Sequence, residues 1–387
     1  MNNWEVVCFS GVDWASHPRR SHWVARELAA LGHTVTYVEN LGTRPPRWSD
    51  LNRIRHRLSR ALSPARRAGT ADPSGVRVVT PLILPYQRSG LVRTVDLWSL
   101  RRRAPRRAPH LPLVVWTYLP MPVIRDYARS LGARFLVYDW CDDASVHMVS
   151  ASASHRRQVA EWEDETASEA DLVLFASEAL RASRGASLEH AMVVAHGAAG
   201  KDLRRAVPPE VARLPRPRIG FVGSITTWTD LELVAAVAAA RPEWTIVMVG
   251  PVRADIGPLT QRPNVILLGA RPHSEISALL RGFDVGLIPY RISPATTVAS
   301  PLKLQEYLAN GLPVVSVDIP AAREAGVAIA ENAEGFVAAI EGALEGPSQE
   351  RSPVAEPRSW THTVGDLVGL IEQRMAERPE ERQVAGS

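Results

Sequence analysis

The residues best arranged for chemistry fall in one stretch, Ser300-Pro301-Leu302-Lys303-Leu304-Gln305-Glu306. Ser300 suits an N-cap and Pro301 the first helical position, so a helix is predicted to start here. Its first amide N–H groups have no intrahelical partner. Lys303 then falls at the third helical position, beside the positive end of the helix dipole, where a cation is unfavourable unless an anion is bound. Free donors, a hydroxyl and an ammonium at a helix start make an oxyanion site that a pyrophosphate fits. Glu306 lies one turn on, on the same face as Lys303. Its ionised carboxylate only accepts hydrogen bonds and can take two vicinal hydroxyls of a ribose. The plain alternative is a surface Lys–Glu pair, worth a few tenths of a kcal/mol. Gly311 and Pro313 end the helix and lead into a strand.

Other signals fail on spacing. His196-Gly197-Ala198-Ala199-Gly200-Lys201 resembles a phosphate loop, but Ala195 stands where the first glycine is required and Asp202 where Ser or Thr is. No G-x-G-x-x-G follows either candidate first strand, so a dinucleotide cofactor is not expected. The histidines and cysteines lack metal-ligand spacing, and there is no G-x-S-x-G elbow. Asp139, Asp142 and Asp143 could hold a divalent cation, line a polar cleft or cap a helix. The arginines lack the interleaved aromatics of a nucleic-acid module.

These residues need a scaffold, and the apolar patterning supplies one. Short Val/Ile/Leu-rich runs alternate with amphipathic helical patterns, the βαβ signature of a parallel sheet. Strands are predicted at residues 4–9, 34–39, 76–80, 113–116, 135–138, 172–175 and 192–195, with a helix over 16–31. A second series follows at 218–222, 245–249, 265–268, 285–288, 313–317 and 327–329. Between the two, prolines and arginines over 201–217 read as a linker. The organisation expected is therefore an α/β chain of two doubly wound domains, 1–200 and 218–358. A last helix over 359–376 is expected to pack back on the first domain. In such sheets ligands bind beyond the carboxyl ends of the strands, which makes a cleft between the domains the default site.

Composition limits the function classes. Of 387 residues, 45% are hydrophobic and 22% charged, which excludes a disordered, collagen-like or disulfide-stapled chain. The net charge of +4 hides an asymmetry. Residues 1–110 hold 19 arginines against seven acids, a net of +12, while the rest is acidic by 8. Such a bias points to an anionic partner for one face. Leu51, Ile54, Leu58 and Leu62 with Arg53, Arg55, Arg57 and Arg60 form a basic amphipathic pattern, and Arg101–Arg103, Arg106 and Arg107 a second cluster. Residues 44–107 thus suit peripheral membrane contact as well as an ordinary solvated face. Two cysteines far apart, Cys8 and Cys141, and no basic start predict a reduced, cytoplasmic protein, at most at the inner face of the membrane. No run reaches the ~20 apolar residues of a membrane span.

Residues 300–315, with Asp284-Val285-Gly286-Leu287-Ile288-Pro289 before them, resemble the donor-binding segment of GT-B glycosyltransferases of the bacterial group-1, mostly retaining, kind. Gly220-Phe221-Val222-Gly223-Ser224 and Asn264-Val265-Ile266-Leu267-Leu268-Gly269 match as well, and Tyr138-Asp139-Trp140-Cys141-Asp142-Asp143 more loosely. The resemblance implies two Rossmann-like domains facing a cleft and a nucleoside-diphosphate sugar as co-substrate, with no metal or other cofactor. It implies that Glu306 binds the ribose, that Ser300, Leu302 and Lys303 bind the diphosphate, and that Gly223 and Ser224 approach the phosphates. Ala270, Arg271 and His273 would hold the base, and Gly11 would meet the phosphates from across the cleft. The chain departs from the family at Val298, where relatives carry an acid, at Thr226-Thr227-Trp228 in place of an Arg/Lys pair, and at Tyr118 in place of a histidine.

The expected reaction moves a sugar to an acceptor hydroxyl on a polysaccharide, a lipid-linked or anionic carrier, or a natural product. Donors fixed at a helix start, with Lys303, would stabilise the leaving diphosphate. If the reaction inverts, a base must reach the acceptor, and Asp13, His17 and Asp142 are the candidates. If it retains, no protein base is needed. A catalytically silent GT-B-like binding or activating subunit, or a sugar-nucleotide epimerase, shares the same architecture.

Overall fold

The computed structural model describes residues 3–39, 70–84, 87–142, 152–184, 188–200, 202–346 and 357–377. The basic pattern at 51–62, Asp143 and Lys201 lie outside these residues. Two compact units are present, one of residues 1–195 with 360–387 and one of residues 196–359.

The first unit is built on strands β1 (Glu5–Phe9), β2 (Thr34–Val38), β3 (Thr70–Ala71), β4 (Arg77–Val79), β5 (Leu113–Thr117), β6 (Phe135–Trp140), β7 (Leu172–Phe175) and β8 (Ala191–Val193). Their order in the sheet is β3-β4-β2-β1-β5-β6-β7-β8. Among the described residues only the β3–β4 pair of this sheet is antiparallel. Helices α1 (Arg20–Ala30), α2 (Gly90–Arg103), α3 (Pro122–Ser130), α4 (Ala153–Glu169) and α5 (Glu178–Arg184) belong to this unit. Strands β1, β5 and β6 are buried along their whole length, as continuous apolar runs covered on both faces must be. Helix α1 starts four residues later than the apolar period suggests, because Pro18 disfavours helical backbone at His17.

The second unit has a six-stranded, wholly parallel sheet of β9 (Arg218–Val222), β10 (Thr245–Val249), β11 (Val265–Gly269), β12 (Val285–Ile288), β13 (Val314–Ser316) and β14 (Ala328–Ile329). The order is β11-β10-β9-β12-β13-β14, so the chain reverses direction across the sheet between β9 and β12. That topological switch point is where open α/β sheets bind ligands. Helices α6 (Pro209–Ala212), α7 (Leu231–Ala240), α8 (His273–Leu280), α9 (Leu302–Ala309), α10 (Pro320–Glu324) and α11 (Ala333–Glu345) complete it.

Of the proline-rich stretch read as a linker over 201–217, the described residues 202–217 pack instead into this second unit. Helix α6 places Val211 in its core. The Arg218 guanidinium ties the stretch down by donating to the Ala212 and Leu214 carbonyls at 2.6 Å each. Prolines interrupt the periodicity there without interrupting the packing. The last helix, α12 (Trp360–Ala376), returns to the first unit and packs on α1. It buries Trp360, Val364, Leu367, Val368 and Ile371, and the Trp23 and Trp360 rings stack at 6.3 Å. No described helix is long and apolar enough to cross a membrane.

Candidate functional site

At the switch point of the second unit, α9 packs into the core through Leu304, Tyr307 and Leu308, and Tyr307 ties it to β9 and β12. The Tyr307 hydroxyl accepts the Val222 amide at 2.7 Å. Its ring lies on β12, where a Cβ on Gly286 would sit only 2.7 Å from it. Beyond β9 the backbone turns at Gly223 with φ of +146°, a conformation that favours glycine. Gly250 packs so closely on that turn that a Cβ there would lie 2.0 Å from the Gly223 carbonyl oxygen. The loop after β9 is zipped to the loop after β12. Asp230 donates its amide to Pro289, and Arg291 donates to Trp228.

Helix α9 brings Lys303 to the Gly223 turn. Its Nζ lies 3.7 Å from the Phe221 ring centroid and 5.0 Å from that of Tyr290. It forms no hydrogen bond or ion pair among the described residues. Burial pushes its ammonium down to about 7, against the opposite pull of Glu306. The cap differs by one residue from expectation. Pro301 is the N-cap with extended backbone (φ −68°, ψ 120°), Leu302 is the first helical residue and Lys303 the second. In the preceding segment, buried Thr296 closes a compact turn, donating to the Arg291 carbonyl and accepting the Ser293 amide, each at 2.8 Å.

One turn along α9, Glu306 Oε1 lies 2.8 Å from His273 Nε2 at the start of α8. A second link, Ser277 Oγ donating to Asn310 Oδ1 at 2.8 Å, fixes the same two helices further along. The structure thus gathers Gly223, Lys303, Glu306 and His273, with Ser300 and Leu302 at the helix start and Ser224 in the adjoining turn. Ala270 is exposed beyond β11. Arg271 pairs with Glu210 at 3.0 Å. Within this unit the arrangement can take a diphosphate between Lys303 and the first-turn amides, and a hydroxylated group at Glu306 once His273 yields.

In the first unit Gly11, Asp13 and His17 lie in the loop after β1, and Asp142 follows β6 on the same sheet. His17, Gly11 and Asp142 are exposed and Asp13 is half-buried. The loop is clamped by residues that patterning alone did not mark. Glu39, at the end of β2, accepts the Trp14 amide at 2.8 Å and the Thr80 hydroxyl at 2.6 Å. The Tyr37 hydroxyl donates to the Val12 carbonyl at 3.1 Å. His22 Nδ1 accepts the Arg19 amide, so its Nε2 carries the proton donated to the Asp13 carbonyl. Burial pushes the His22 imidazole down to about 4, which keeps it neutral for that role. The only sequence signal was an acid closing an otherwise apolar run, as at Glu39.

Asp139 has the same signal and a structural answer. Buried within β6, it takes the Arg20 Nε on both oxygens at 2.8 and 2.9 Å and the Trp116 indole N–H at 3.2 Å. Its carboxylate is committed to an internal ion pair. Among the described residues no group of three or more His, Cys, Asp or Glu is placed to hold a metal.

Comparison with known proteins places this geometry in context. Residues 216–346 match the family described as Glycosyl transferases group 1. Over 106 residues the chain is 36% identical to a Bacillus subtilis (strain 168) protein provisionally named teichuronic acid biosynthesis glycosyltransferase TuaH. That match covers 26% of this chain and 27% of the relative, so the chain spans about a quarter of the curated relative's length. Sucrose-phosphate synthase from Thermosynechococcus elongatus superposes with a TM-score of 0.71 at 15% identity, over 97% of this chain and 100% of that one. Anabaena Alr3699/HepE, solved with UDP and glucose, gives 0.64 at 14% identity over 96% and 100%. The trehalose 6-phosphate synthase of Burkholderia multivorans gives 0.63 at 14% identity over 100% of both chains. These likenesses give the fold, two Rossmann-like units of the GT-B kind, across nearly the whole chain.

Proposed function

We propose, from the premise that residues 216–346 are a group 1 glycosyltransferase domain on a GT-B fold, that this chain transfers a sugar from a UDP-sugar to an acceptor hydroxyl. The observation that carries the reading is Lys303, an ammonium held over the Gly223 turn beside a helix start, against the Phe221 and Tyr290 rings and with no ion pair among the described residues. The charge that builds on a departing diphosphate would meet Lys303 and the first amides of α9, already in position and needing no metal. Glu306 takes the ribose hydroxyls after exchanging its bond to His273. Ser224, Ser300 and Leu302 line the phosphates, and Ala270 with Arg271 flank the base. UDP as the nucleotide is supported by Alr3699/HepE, which was solved with UDP and with UDP-glucose.

In the first unit Gly11 would meet the phosphates, and Asp13, His17 or Asp142 would serve as the base if configuration inverts. The excess of arginine in residues 1–110 suits an anionic or lipid-linked acceptor. Calorimetry with UDP and UDP-glucose tests the donor site. Glu306→Ala and Lys303→Ala should each weaken binding about 10–100-fold, the loss expected for a charge-assisted hydrogen bond of ~1.5–3 kcal/mol. Unchanged affinity in both variants would remove the assignment.

A further inference from the structure

Helix α2 is inverted relative to an ordinary surface helix. Its buried face carries a charge. Asp96 is inside, accepting the Leu84 amide at 3.1 Å and the Gln87 side-chain amide at 2.6 Å. Its outer face is apolar, with Leu91, Val95 and Trp98 at 77%, 50% and 62% exposure. Their spacing, i, i+4 and i+7, sets them in one stripe. Leu82 and Leu84, on the segment leading to the helix, are exposed as well.

The stripe runs into positive charge. Residues 88–107 hold seven arginines and one acid, the buried Asp96. Arg88, Arg93 and Arg106 lie near Glu161, Asp126 and Glu5 at 3.4–3.7 Å. Arg101, Arg102 and Arg107 are exposed and form no ion pair among the described residues. Arg102 sits 5.4 Å over the Trp98 ring, so an indole and a guanidinium share one edge of the patch.

We propose that α2 docks the protein on an anionic lipid surface, with Leu91, Val95 and Trp98 entering the headgroup–acyl boundary and Arg101, Arg102 and Arg107 pairing with lipid phosphates. Charge complementarity and the chemistry of the edge select this occupant. An apolar stripe bordered by arginines lies in the plane of an interface, indoles settle at headgroup depth, and guanidinium groups bind phosphate in bidentate fashion. The inference stands independently of the donor site, which lies on the second unit.

Sedimentation of the full chain with vesicles of phosphatidylcholine, with and without phosphatidylglycerol, tests it. The protein should pellet with the anionic vesicles, and high salt should release it. Arg101→Glu with Arg102→Glu alters only exposed side chains and should weaken binding on the order of tenfold or more, at ~1 kcal/mol per charge. Leu91→Ser with Trp98→Ser should abolish pelleting at low salt. Trp98→Phe should still pellet but lose tryptophan quenching by brominated acyl chains. UDP titration of each variant should match the unaltered chain and so separates this result from the donor-site test. Failure to pellet with anionic vesicles, or pelleting indifferent to both double variants, overturns the proposal. So does self-association through this face, seen as a mass by light scattering that falls in Leu91→Ser/Trp98→Ser, without vesicle binding.

Discussion

At the scale of single residues, the proposed donor role of Lys303 predicts that ligand binding is coupled to protons. Burial pushes its ammonium down to about 7 in the protein alone, because it disfavours the charge. A diphosphate beside it restores the charged form and raises that value. The group therefore favours binding fully below pH 7, and the gain is lost as pH rises from 7 toward the raised value in the complex. UDP affinity should fall by up to about tenfold per pH unit above 7. At pH 8, calorimetry in buffers of different ionisation enthalpy should register proton uptake, and Lys303→Met should remove both effects. An affinity flat from pH 7 to 9 would contradict the assignment. A different residue-scale effect belongs to Asp139. Asp139→Ala leaves Arg20 buried and uncompensated, so the chain should lose about 3–5 kcal/mol, read from denaturant unfolding.

At the scale of elements, α9 is positioned by Tyr307. Tyr307→Phe keeps the ring against Gly286 but strands the buried Val222 amide, a cost of about 1–3 kcal/mol in unfolding free energy. UDP binding should weaken as well, since the Gly223 turn lies next to Val222; a wild-type affinity would show that the hydroxyl only stabilises. The parallel strands were legible in the sequence because fully buried strands are unbroken apolar runs, as in β1, β9 and β10. The site in α9 could be read as a candidate because Lys303 and Glu306 stand one turn apart in a short segment. Its one-residue offset could not, since periodicity marks the face of a helix and not its terminal residue. Nor could spacing show that Glu306 meets His273, or that Glu39, Tyr37 and His22 clamp the loop at Asp13. Those contacts join elements far apart in the chain. Helix α2 escaped for another reason. Period reveals that a helix has two faces, but Asp96 inside and Trp98 outside reverse the usual rule for which one is buried.

At the scale of the whole molecule, the first unit is discontinuous in sequence while the second is not. Deleting residues 360–387 would bare the surface covered by Trp360, Val364, Leu367, Val368 and Ile371. At ~1.5–3 kcal/mol per side chain, that loss rivals the ~5–15 kcal/mol by which a domain is stable. Hydrogen exchange on the truncated chain should show fast amides throughout the first unit and protected ones in β9, β10 and β12. Protection surviving in β1 and β5 would refute this. The same connectivity sets an order of events on the ribosome. The unit begun first is completed only after the second, because its closing helix follows the whole of that unit in the chain. At roughly 5–20 residues per second, synthesis of the intervening unit keeps it waiting on the order of 10–30 s with α1 uncovered. Through that interval the nascent first unit leaves bare the surface that Trp360, Val364, Leu367, Val368 and Ile371 later cover, while the second can already close around its own core. A chain broken off before Trp360 would therefore carry a folded second unit joined to an unfinished first one, which proteases can recognise and remove.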